Sequence, residues 1–134
     1  MRVFNFTHNF NTQGEGDVID LTRRIEEIVL ESGIRDGVIH LFAPHATGAI
    51  VLSEHESNLI KDIISMLEDL VPSSKRYRHP VNSRSHLRSI VLGPSQTIPI
   101  INGKMTLGTW QSIFWIEVDT QPRLRNLIIQ VVGE

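Results

Sequence analysis

The amino-acid sequence predicts an α+β fold: a single domain over residues 1–134, with a mainly antiparallel sheet or sandwich and two main helices. Three observations carry that prediction. Two segments, 17–33 and 57–70, repeat apolar residues at helical spacing. Short β-prone runs surround them, joined by connections mostly too short for the crossovers that parallel strands need. Between two of these runs stands Asn102-Gly103, the strongest short-range signal for an antiparallel hairpin.

The elements follow in order. Val3, Phe4 and Phe6 mark a first strand over 2–8. A Gly-containing loop, 11–17, leads to Asp17 as helix N-cap, with Val18, Leu21, Ile25, Ile28 and Val29 on one face and Gly33 as the stop. Asp36-Gly37 and Pro44 bound a strand, and 49–53 reads as its neighbour. The second helix turns Leu59, Ile60, Ile63, Ile64, Leu67 and Leu70 inward and ends before Pro72. Residues 72–85 read as a long polar, basic loop, a kind of segment that often carries function. A short helix over 86–93 precedes strands at 97–101, 104–109, 112–118 and 124–132.

Composition narrows the chemistry. The apolar share of 40% and charged share of 21% are ordinary for a globular chain. A net charge of −2 gives no general pull toward nucleic acid or anionic membrane, and neither is expected as a partner. No apolar run approaches the ~20 residues that span a bilayer, and the opening residues lack a signal-peptide pattern, so a cytoplasmic location is expected. There is no cysteine. Disulfides, thiolate catalysis and cysteine-based metal sites are therefore excluded, and a metal would have to rely on His and carboxylate.

Several motifs fail on inspection. Gly103-Lys104 lacks the context of a phosphate-binding loop, and His55-Glu56 has Leu59 where a zincin needs its second histidine. His45, His79 and His86 remain as candidate ligands, with separate surface histidines as the plainer reading. Glu54 and Asp62 are candidates to orient a histidine or act as acid and base, though Asp62 falls on the polar helix face. Arg123 and Arg125 would share a strand face, fit either to bind phosphate or to form salt bridges. Trp110 beside Gln111 suits a heteroaromatic ring or core packing.

Taken together, 45-HATGAIVLSE-54, Asp62, 77-YRH-79, His86-Leu87, Gly93, 107-LGTWQ-111, Glu117, 122-PRLR-125 and 133-GE-134 resemble the YjbQ family, also described as secondary thiamine-phosphate synthases. The resemblance runs from about Phe4 to the end of the sequence. It departs at Ser53, where an Asn is usual, and at 119-DTQPR-123, a turn one residue longer than the family's. It implies a compact α+β domain assembled as a homotrimer. A domain this size offers little depth for a substrate pocket, and pockets favour interfaces, so the site is expected near a subunit boundary. The apolar 38–42 and 113–118 segments are candidates for the buried contact.

The implied activity is a low-level transferase reaction. Hydroxymethylpyrimidine pyrophosphate is joined to thiazole phosphate and pyrophosphate is released. The resemblance assigns catalytic roles to His45, Glu54, Asp62 and His86, and a divalent metal, zinc as first choice, to His45, His79 and His86. Arg78, Trp110, Gln111, Arg123 and Arg125 would bind a small phosphorylated heteroaromatic substrate. Two rivals accompany this reading: a metal-dependent hydrolase using the same histidines, and a non-enzymatic trimeric protein that binds metal or ligand.

Overall fold

One strand, β7 (Ser112–Glu117), explains the layering of the molecule. All but its first residue are buried, because Ile113 and Trp115 face one layer while Phe114 and Ile116 face another. The structure, a computed structural model, describes residues 1–134. Its elements run β1 (Arg2–Asn11), β2 (Val18–Asp20), α1 (Thr22–Ser32), β3 (Gly37–Phe42), β4 (Gly48–Ser53), α2 (Ser57–Leu70) and α3 (Ser83–Leu92). Then come β5 (Ser95–Ile101), β6 (Lys104–Met105), β7 and β8 (Leu124–Gly133).

Every strand pair is antiparallel, as the short connections required. Five strands form one sheet in the order β1-β8-β3-β5-β6, and three form another in the order β2-β7-β4. Ile39, Leu41, Ile98, Ile100, Leu127, Ile129 and Val131 of the large sheet pack against Ile50, Ile113 and Trp115 of the small one. Helix α1 closes this core with Ile25, Ile28 and Val29. On the far face of β7, Phe114, Ile116 and Val118 meet Leu67, Ile63 and Ile64 of α2 and Leu92 of α3. The result is sheet on sheet on helix. Such alternation is what a period-two strand provides when both of its faces are covered.

The opposite face of the large sheet is open and unusual in composition. Its cross-strand rows read Val3, Val132, Val38 and Pro99; then Asn5, Gln130, His40 and Thr97; then Thr7, Ile128, Phe42 and Ser95. None of these twelve positions carries Asp, Glu, Lys or Arg. In the middle row Gln130 Nε2 donates to Asn5 Oδ1 at 3.0 Å, and His40 Nδ1 lies 2.9 Å from Thr97 Oγ1.

Several details differ from the sequence reading. Asp17 does not cap α1; its carboxylate accepts from the Gln13 N–H at 2.8 Å, and Val18–Asp20 pair with β7 as β2. The helix begins at Thr22, whose N–H donates to Asp20 Oδ1 at 2.9 Å. Strand β4 pairs with β7 and not with β3. The 104–109 run contributes only Lys104 and Met105 to the sheet, and α3 is a full third helix that takes up the end of the basic loop. The 113–118 segment is core on both faces, so it offers nothing to a partner. The hairpin reading holds: Asn102 and Gly103 take φ of 53° and 79°, the two positive values of a type I′ turn.

Candidate functional site

The chain crosses from the small sheet to the large one at residues 118–123, and a buried polar network fixes that crossing. Arg125 Nε donates to Glu117 Oε1 at 2.7 Å and its Nη2 pairs with Glu117 Oε2. The same nitrogen donates to the carbonyl and hydroxyl of Thr47, each at 3.0 Å. Thr12 Oγ1 donates to Glu117 Oε1 at 2.8 Å, and Thr47 Oγ1 donates to Asp119 Oδ2 at 2.9 Å. Arg123 Nε meets that same Asp119 oxygen at 3.0 Å. Burial pushes the Asp119 carboxyl up, but hydrogen bonds from Arg123, Thr47 and the Gln121 N–H overcome it and hold it below the ordinary carboxylate range. A closed network of this kind rigidifies a wall. It also buries the Arg125 guanidinium, while Arg123, itself exposed, is tied through Nε to Asp119.

His45 sits on this wall, half-buried, in the segment between β3 and β4. The backbone of Asn126 holds its Nε2, with the amide nitrogen at 2.9 Å and the carbonyl oxygen at 3.2 Å. Its ring stands edge-on to Trp115 with centroids 5.9 Å apart. That indole is held in turn by Gly48, where an added methyl group would run into the Trp115 ring. Burial, and next the Arg125 guanidinium, lower the His45 pKa from 6.5. The imidazole is therefore neutral at pH 7 and presents an N–H.

His86, on α3, shares a shallow apolar cavity of about 190 Å³ with His45, Ala46, Ser89, Ile90 and Pro94. His79, exposed in the loop before α3, lies edge-on to His86 with centroids 5.2 Å apart. His86 thus neighbours each of the other two histidines. They do not form a ready ligand set, since no three His, Asp or Glu side chains are grouped to hold a metal ion. His45 Nε2 is already engaged with the backbone. As arranged, these residues do not fit the divalent metal that the resemblance implies.

The remaining predicted residues lie elsewhere. Glu54 follows the far end of β4 from His45, and β4 alone accounts for about 17 Å. Asp62 is exposed on the outward face of α2, and Arg78 is exposed in the loop. Trp110 is 73% exposed, so it is not core. Gln111 Oε1 accepts from the Gly108 N–H at 2.8 Å and shapes a tight turn. With Gly108 and Thr109 it lines the largest cavity, about 510 Å³, between α1 and the β5–β6 hairpin. His55 bonds Asp20 at 2.9 Å, a structural role.

Asp119, Thr12, Thr47 and Asn82 escaped the sequence reading. Asn82 Nδ2 donates to Asp119 Oδ1 at 3.3 Å and so ties the start of α3 to the network. The run 117-EVDTQPRLR-125 held the signal: two carboxylates alternating on one side of a turn and two guanidiniums alternating on the other.

Comparison with known proteins supplies the relationship. The family model described as UPF0047 protein YjbQ-like matches residues 6–134. A UPF0047 protein of Methanothermobacter thermautotrophicus is 44% identical over 137 residues, spanning 100% of this chain and 95% of that one. YugU of Bacillus subtilis, another UPF0047 protein, is 32% identical over 95% of this chain and 98% of its own. Among solved structures, a YbjQ-like protein of unknown function from Sulfolobus solfataricus superposes with a TM-score of 0.90 at 30% identity, covering 99% of this chain and 100% of that one. On the motif order, the fold and these matches, the chain belongs to the YjbQ-like UPF0047 family.

Proposed function

We propose that the protein is a slow thiamine phosphate synthase-like transferase that works as a homotrimer. In the reaction, the bond from the pyrimidinylmethyl carbon to the diphosphate oxygen breaks. Pyrophosphate leaves with the electron pair, and the lone pair of the thiazole nitrogen forms the new C–N bond. The chemistry calls for donors at the departing oxygen, where charge develops in the transition state. The observation that carries the reading is that His45 and His86 line one cavity, with His79 against His86. A neutral His45 at the cavity wall still carries one ring N–H to offer the departing group.

The rest of the implied site supports the assembly. Trp110, Gln111 and Glu54 lie at the opposite end of β4 and β7 from His45, so one chain does not close a site around all of them. A neighbouring copy would bring its Trp110 end to this histidine end. The three charge-free rows on the outer face of β1, β8, β3 and β5 suit contact with a second copy, since charged residues are depleted at the centres of interfaces.

Mixing tests both parts. Purified wild-type protein should form thiamine phosphate from the two substrates at a turnover well below the roughly 10 s⁻¹ enzyme median. His45→Ala and His86→Ala should each lower kcat. Subunit-exchanged mixtures of His86→Ala with Trp110→Ala should regain part of the activity that each lacks alone. Product at the uncatalysed rate would end the synthase reading, and failure of the mixtures to recover would end the shared site.

A further inference from the structure

The basic stretch that leads into α3 has a use that neither the histidines nor the network absorbs. Lys75, Arg76, Tyr77, His79, Asn82 and Arg84 surround a cavity of about 290 Å³. No Asp or Glu lines it. Its floor is well fixed. Glu68 accepts from the Ser73 N–H and hydroxyl at 2.9 and 2.8 Å, contacts that together with Arg88 hold its pKa down to about 2. Tyr77 donates its hydroxyl to the Pro72 carbonyl at 2.7 Å.

The cations here are not equivalent. Arg84 is held by Glu15 through two bonds of 2.9 and 3.0 Å. Lys75 and Arg76 form no ion pair with any carboxylate. Two unpaired cations on a concave wall beside an imidazole repel one another and concentrate positive field in the cavity. The backbone adds to this. Asn82, the residue type that usually caps a helix, turns its side chain to Asp119 and Thr120 instead. Ser83 and Arg84 are among the residues lining the cavity, and their N–H groups meet no protein acceptor.

We propose that this cavity is a phosphate-binding pocket, in which Lys75 and Arg76 hold the phosphate or diphosphate end of a small molecule beside His79. Arg supplies a planar fork for two phosphate oxygens and Lys a point charge. The volume lies just below the usual range for sites that enclose a whole drug-sized ligand, so it suits a charged end and not a complete heteroaromatic ester. Contact between His79 and His86 sets the pocket next to the His45–His86 cavity, so the remainder of the ligand would extend there. Phosphate recognition thereby passes to the loop from Arg123 and Arg125, whose guanidiniums already hold Asp119 and Glu117. The proposal rests on the synthase reading only for the identity of the ligand, not for the pocket.

Isothermal titration of the full chain with pyrophosphate, inorganic phosphate and a short single-stranded oligonucleotide, at constant ionic strength, tests it. Wild type should bind pyrophosphate, and the double variant Lys75→Ala/Arg76→Ala should bind it at least about tenfold more weakly. The swap Lys75→Arg/Arg76→Lys should keep most of the affinity, and Lys104→Ala, at a different cavity, should keep all of it. No binding to wild type, equal binding to the double variant, or equal loss in Lys104→Ala would each overturn the pocket. So would tighter binding of the oligonucleotide than of pyrophosphate. Running the synthase assay alongside separates the two ideas: pyrophosphate bound without product sinks only the synthase reading, whereas product from a wild type whose pyrophosphate binding is unchanged in the double variant sinks only the pocket.

Discussion

The two ends of the β4–β7 pair have opposite characters. At the Gly48 and Glu117 end, Glu117, Asp119 and Arg125 are nearly inaccessible and hydrogen-bonded to one another or to Thr12 and Thr47. At the Ser53 and Ser112 end, Trp110, Gln111 and Glu54 project from turns into solvent. Both ends carry residues that the motif pattern marks as functional. The contrast shows that a shared motif does not mean a shared role. Charged residues at the first end position His45, and an exposed indole at the second is a surface for something else to meet.

Three substitutions or titrations press on that contrast. The largest effect should come from Arg125→Ala, which strands the Glu117 carboxylate inside the protein and should cost about 3–5 kcal/mol in urea unfolding. An unchanged midpoint would mean that Arg125 is free for ligand after all. A smaller effect concerns pH. Because the folded His45 pKa lies below 6.5, the unfolded chain binds more protons between that value and 6.5. Stability should rise with pH through this window and fall on acidification below 6.5. His8, lowered by burial and then by Arg24, acts with the same sign, so His45→Gln should reduce the slope without removing it. A histidine NMR titration that puts His45 at or above 6.5 would contradict the account. The smallest effect should be on stability in Trp110→Ala, within about 0.5 kcal/mol, since the ring is 73% exposed. A loss of several times that amount in dilute solution would make Trp110 structural.

What could be read from the sequence follows the range of each signal. Asn102-Gly103 and the apolar runs of β3, β7 and β8 depend on neighbours a few residues apart, and these readings hold; on α2, Ile63, Ile64 and Leu67 face inward as expected, but Leu70 at the helix end is 59% exposed. Val18 failed because one more apolar residue at helical spacing looks the same whether it extends a helix or sits in a three-residue strand. The tertiary pairing of Val18 with Ile116 decided between them. The partner of β4 was illegible for a related reason: β3 is its neighbour in sequence, but its hydrogen bonds go to β7, more than fifty residues away. At the site, the motif order pointed to the family, and the network showed why Arg123 and Arg125 are there. Their short spacing carried no information on whether the partner would be a carboxylate of the same chain or a phosphate.

The order of the large sheet also constrains how the chain can be assembled. β8 lies between β1 and β3 and pairs with each, Phe6 with Ile129 on one side and Leu41 with Ile129 on the other. Until residues 124–133 exist and arrive, β1 has no partner and β3 has one open edge. Closing this gap joins segments separated by residues 12–123, a large loop to fix before any reward from the contacts. Folding should therefore sit toward the slow end for a domain of this size, with the sheet completed in a late step. Partly synthesised chains expose the edges of β1 and β3 together, and unpaired edges are templates for the wrong neighbour. The last strand inserts into the sheet rather than adding to its rim.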